Sequence, residues 1–136
     1  SRQLLTSTIG HEVVHALLPV VIGHNKVPHW IHEGLATYYE PSPKQEFYRR
    51  KVSEGKKQKR LIPAEQLVKS TSYPNSAQVT LFYGQCLALV RYLVRTTSLR
   101  TVIKMVRDLK DTSLADSIYR HFRVKDYSKW NAAFKK

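Results

Sequence analysis

The stretch "STIGHEVVHALLP" (residues 7–19) sets two histidines around a glutamate and two valines, with apolar residues on both sides. From Arg2 to Leu18, apolar residues at Leu4, Leu5, Ile9, Val13, Ala16 and Leu17 follow a helical period of about 3.6. The spacing therefore predicts an amphipathic helix that Pro19 ends. On it, His11 and His15 lie about 40° apart around the axis and one turn along it, so both imidazoles can reach one ion. Glu12 projects near the same edge but is turned aside. That is the geometry wanted for a base that touches metal-activated water without taking a coordination place. The competing explanation is a solvated polar edge on an ordinary amphipathic helix.

Neutral imidazole suits zinc, and a catalytic zinc keeps three protein ligands and one open position. A third ligand is therefore required, and His24, His29, His32 and Glu33 are the candidates. The long metzincin pattern would need glycine at 18 and histidine at 21, where Leu18 and Val21 stand, so that class is excluded. His24 falls in a loop at Gly23-His24-Asn25. A second helix, "PHWIHEGLATYYE" (28–40), is opened by Pro28 and terminated by "PSP" (41–43). Glu33 on this helix is the favoured ligand. Seventeen residues separate it from His15, and the connecting loop leaves room to reverse direction. Two antiparallel helices about 8–10 Å apart would set its carboxylate opposite the histidine pair.

Composition bounds the rest. The 136 residues form one expected domain, long enough to bury a core. Lone Cys86 excludes an internal disulfide and a cysteine metal cluster. The 23 Lys+Arg against 10 Asp+Glu give +13, a field that favours anionic partners. No apolar run approaches the roughly 20 residues of a membrane span, and "LLPVVIG" (17–23) is short and broken by Pro19. The chain opens on Ser1 shortly before His11 and carries no basic-then-apolar signal. It is therefore expected to be a piece of a longer chain, with any export signal upstream.

Downstream, residues 44–60 hold eight basic and two acidic side chains, predicted as a short helix and then an exposed loop around Gly55. Pro63 opens a short helix over 64–69, and residues 70–76 form a loop. Ser76 is expected to cap a long apolar helix to about Arg95; Ser98 and Ser113 cap two more, and Asp126 caps "YSKWNAAFKK". No strand alternation appears, so the fold is predicted mainly α. Trp30, Tyr38 and Cys86 are expected to pack, and Glu40 to close its helix or pair with a base. Thr37, one turn past Glu33, is placed to hydrogen-bond a ligand, and His32 to contact substrate.

"PHWIHEGLATYYE" is similar to the W-x-x-E-G-x-x-x-Y segment of gluzincin zinc peptidases, in which H-E-x-x-H is followed by a glutamate ligand on the next helix. The chain most resembles peptidase MA-like domains and the zinc peptidases related to alanyl aminopeptidase. The aminopeptidases usually carry asparagine where this chain has His32, and a slightly longer ligand spacing; neither difference touches a ligand. "RLIPAEQLVKS" (60–70) and "FYGQCLALVRYLV" (82–94) extend the likeness, which is close over 7–40, looser over 60–134 and absent from 44–60.

The resemblance implies a helical bundle like the zinc-binding and C-terminal helical part of such a peptidase, without the β-sheet that precedes it in larger gluzincins. It also implies Zn²⁺ on His11, His15 and Glu33, with Glu12 as general base. Tyr83 would donate to the tetrahedral oxyanion, with Tyr73 as its substitute, and the substrate would be a peptide or protein. Two alternatives stand beside this. One is a non-catalytic basic helical domain that binds anionic polymer or membrane, in a salt-sensitive way that survives loss of zinc. The other is a DNA-associated zinc protease of the SprT-like class, whose third ligand is a histidine, here His24 or His29. The run 44–60 includes Phe47 and Tyr48 but lacks the spaced aromatic platform of single-strand binders. Its plain explanation is a solvated face.

Overall fold

The computed structural model describes residues 27–135. The helix expected over Arg2–Leu18, and with it His11, Glu12, His15 and the loop residue His24, lies outside the described residues. Among the described residues the fold is mainly α, with no strand. Helices α1 (His29–Tyr38), α2 (Ser42–Lys57), α3 (Ala64–Lys69), α4 (Val79–Thr96), α5 (Leu99–Asp108) and α6 (Leu114–Phe122) precede a 3-10 helix at Tyr127–Phe134. No helix of the described residues is long and apolar enough to cross a membrane.

The apolar run of α4 explains its central position. Leu81, Phe82, Cys86, Leu87, Leu89, Val90 and Leu93 are all buried, which covers most of its circumference. Such a helix needs neighbours on several sides, and α1, α2, α5 and the 3-10 helix supply them. Two glycines set how close they come. A Cβ on Gly34 of α1 would stand 2.5 Å from Val90 Cγ2 and 2.7 Å from the Cys86 carbonyl oxygen. A Cβ on Gly84 of α4 would stand 2.9 Å from the Tyr48 carbonyl oxygen and from Val52 Cγ2. Helix backbones therefore nearly touch at both crossings. Trp30 is fully buried at the same α1–α4 layer, packed against Trp130 with ring centroids 6.0 Å apart.

The expected loop around Gly55 is corrected: α2 continues through it to Lys57. Only Val52 and Gly55 of α2 are buried, and a Cβ at Gly55 would sit 2.8 Å from Leu81 Cδ1. This glycine makes room for a neighbour rather than breaking the helix. The helix ends two residues later in a Schellman arrangement, with Lys59 at φ 56 and Arg60 N–H donating to the Gly55 carbonyl at 2.8 Å. The other residues of α2 are exposed or half-buried.

Two more boundaries shift. Pro28 is the N-cap of α1 instead of its first helical residue. Ser76 does not cap α4, which begins after Gln78 with no side-chain cap. A turn that bonds Gln78 N–H to the Asn75 carbonyl at 3.0 Å leads into α4 instead. Ser98, Ser113 and Asp126 do cap as expected, each accepting from a backbone N–H two or three residues on.

Polar crossbars tie the irregular segments down. Gln85 is fully buried; its Oε1 accepts from Ile62 N–H at 2.9 Å and its Nε2 donates to the Ile62 carbonyl at 2.8 Å. Asn131 Oδ1 accepts from Ala64 N–H at 2.8 Å, joining the 3-10 helix to the start of α3. Ser117 Oγ donates to the Met105 carbonyl at 2.6 Å, joining α6 to α5. Gln85→Leu keeps the volume but strands both backbone groups of Ile62. At about 1–3 kcal/mol for each buried unsatisfied group, guanidinium denaturation should show a loss of about 2–6 kcal/mol. An unchanged midpoint would mean that the crossbar contributes nothing.

Candidate functional site

Glu33 lies in the second turn of α1, next to the glycine that presses this helix onto α4, and is only 5% exposed. Tyr73, from the loop between α3 and α4, donates its hydroxyl to Glu33 Oε1 at 3.1 Å. The Tyr73 ring stacks on His29, one turn before Glu33, with centroids 4.2 Å apart and an interplanar angle of 21°. A single tyrosine thus touches both His29 and Glu33, which share a face of α1 by their four-residue spacing.

An aromatic row continues from there. Tyr73 meets Phe82 edge-on at 6.0 Å, Phe82 lies 6.0 Å from Tyr83, and Tyr83 meets Tyr48 of α2 edge-on at 6.3 Å. Burial raises the hydroxyl pKa of Tyr73, Tyr83 and Tyr48, and the negative charge of Glu33 raises each of them further. At Tyr48 the Glu40 carboxylate contributes ahead of Glu33. All three phenols therefore remain protonated hydrogen-bond donors across the physiological pH range. The Cys86 thiol beneath them is fully buried, and desolvation followed by the Glu33 charge pushes its pKa well up. It is held as a thiol and has no use as a nucleophile.

The structure brings together Glu33, Tyr73 and the Tyr83 side of α4. Tyr83 itself sits on the second turn of α4, half-buried, and among the described residues its hydroxyl has no hydrogen-bond partner. Thr37 is buried one turn beyond Glu33 and makes no side-chain hydrogen bond among the described residues. His32 is half-buried beside Glu33. Glu40 pairs with Lys44 at 3.3 Å, as its position predicts. His29 Nδ1 is buried without a hydrogen-bond partner among the described residues. Sequence spacing gave no reason to join Tyr73 to Glu33 across 40 residues. The only local hint is Pro74, which biases Tyr73 towards an extended backbone.

Among known proteins, a family described as "Protein of unknown function (DUF1570)" matches residues 5–61. That span runs from before His11 to beyond Glu33, taking in α1 and α2. No curated protein and no solved structure matches the chain.

The two phenols differ in a measurable way. Tyr73→Phe removes a donor from a buried carboxylate, a bond of a class worth about 1.5–3 kcal/mol, and its partial exposure places the expected loss near the lower end. Tyr83→Phe removes a hydroxyl bound to nothing described, so stability should stay within about 0.5 kcal/mol. Equal losses in chemical denaturation would overturn this division.

Proposed function

We propose that the chain is a zinc-dependent peptidase of gluzincin type, in which His11, His15 and Glu33 hold the ion and Glu12 is the general base. The observation that carries the reading is Glu33: a carboxylate kept 5% exposed and oriented by a phenol from a distant loop. A buried carboxylate oriented by a hydrogen bond is a preorganised oxygen ligand for a divalent cation. Oxygen and imidazole donors together suit zinc. Support also comes from the 5–61 match, because one family-sized span contains both H-E-x-x-H and Glu33.

Zinc, when bound, would polarise the scissile carbonyl and lower the pKa of water from 15.7 towards about 7. Glu12 would take the proton of the attacking water and hand it to the leaving amine. The Tyr73 hydroxyl, already spent on Glu33, fixes that carboxylate's rotamer, as partners of metal ligands commonly do. Tyr83 has its hydroxyl available, and burial favours its protonated form. It would donate to the substrate oxygen as negative charge grows there. The substrate is a peptide or protein. The solvated basic face of α2 remains available to an anionic partner.

A second reading rests on His29. Its buried, unpartnered Nδ1 shares a face with Glu33, and a histidine third ligand would favour the SprT-like alternative.

Elemental analysis of wild type, Glu12→Gln, Glu33→Ala and His29→Ala separates these readings. Expected are near-stoichiometric zinc in wild type, Glu12→Gln and His29→Ala, and little in Glu33→Ala. Glu12→Gln should also fail to cleave a peptide that wild type cleaves. Tyr83→Phe should keep its metal and lose about 10²–10³ in kcat. Retention of zinc by Glu33→Ala with loss in His29→Ala would transfer the assignment to the histidine ligand. Zinc-free wild type with folded circular dichroism would end the peptidase proposal.

A further inference from the structure

On another flank of α4, away from Glu33, a cleft of about 200 Å³ opens between α2, α4 and the 3-10 helix. Val52, Leu87 and Ala133 contribute apolar lining, and Arg49, Arg91 and Arg95 also border it. Cys86, which meets α1, and Arg91 are five residues apart, about 140° around the helix at 100° per residue. Arg91 therefore faces away from the Glu33 contact, although Leu87 of the cleft lies one turn along α4 from Tyr83. We infer that this cleft is a second binding site, for a small organic phosphate monoester whose short apolar body rests on Leu87 and Val52 while its dianion meets the three arginines.

The charge balance selects the dianion. Arg49 forks onto Glu46 with bonds of 2.8 and 2.7 Å, and Arg95 lies 5.9 Å from the centroid of the Tyr92 ring. Arg91 forms no ion pair among the described residues, yet it is near enough to help lower the Glu46 pKa, behind the dominant bond from Arg49. Three guanidiniums against one carboxylate leave two positive charges around one cleft. A monocarboxylate would answer only one of them. Planar guanidinium forks also suit phosphate oxygens better than the point charge of lysine does.

The volume suits a compact ligand. At about 30 Å³ per water, the cleft holds the equivalent of roughly six or seven waters, enough for a phosphate and a few carbon atoms. The apolar floor then separates an organic phosphate from inorganic phosphate, which would leave it uncovered. All three arginines are exposed, so the site is accessible.

Isothermal titration calorimetry on the full chain with phenyl phosphate tests the site, with inorganic phosphate, benzoate and benzyl alcohol for comparison. Phenyl phosphate should bind saturably and about tenfold or more tightly than each of the others, a difference of about 1.4 kcal/mol or more. Arg91→Gln and Arg95→Gln should each weaken it by about tenfold. Lys104→Gln, an exposed charge that does not line the cleft, should leave it unchanged, as should Glu33→Ala. Absence of saturable binding, equal affinity for inorganic phosphate, or equal weakening by Lys104→Gln would each overturn the site. The Glu33→Ala arm keeps its fate separate from that of the zinc proposal.

Discussion

The approach of Gly34 to the Cys86 carbonyl is the constraint on which the rest depends. The atom that a Cβ would strike is backbone, at 2.7 Å, and a helix carbonyl cannot rotate away as a side chain can. Glycine in a helix interior costs about 1 kcal/mol relative to alanine, so local propensity opposes this residue and packing retains it. Because the α1–α4 interface is set at backbone distance, Glu33 is carried into contact range of the Tyr73 loop instead of standing out in solvent. A larger residue at 34 would push α1 outward and loosen the carboxylate together with the helix.

Burial of that carboxylate then organises its neighbours electrostatically. Its charge reaches Tyr48, Tyr73, Tyr83 and Cys86, and in each case it acts in the same direction as desolvation, favouring the protonated form. The region is therefore rich in donors and poor in nucleophiles. That chemistry suits stabilisation of developing negative charge, and it argues against covalent catalysis by Cys86. It also divides labour between two otherwise similar phenols: one is bound to the carboxylate, and the other has its hydroxyl available.

What was legible in the sequence follows the range of the interaction. Caps at Ser98, Ser113 and Asp126 depend on a few adjacent atoms, and they are where the residue types put them. The burial of Trp30 and Cys86 and the α class follow from periodicity. Gly55 misled because its local meaning, a breaker, is opposite to its tertiary one, a gap for Leu81. Ser76 misled because a turn ending at Gln78 intervenes before the helix. The last helix was legible in position but not in its 3-10 winding. Glu33 was legible through its short-range pattern. Its partner Tyr73 was not, since no periodicity links residues 40 apart.

The same limit applies to charge. A total of +13 names no site, because a net charge carries no geometry. The fold sorts that charge: α2 contributes Arg49, α4 contributes Arg91 and Arg95, and apolar residues from three elements provide a floor beneath them. Most other cations stand on solvated faces, where water and salt screen them. The arginines at the cleft are exposed too, but they share one border with apolar residues, so a ligand with both an anionic and an apolar part can use them together. Helix α4 thereby contacts two environments, a buried carboxylate with phenols at the α1 side and a cleft bordered by arginines at the α2 side. Among the described residues no carboxylate lines the cleft, and Glu46, the partner of Arg49, is already held by it.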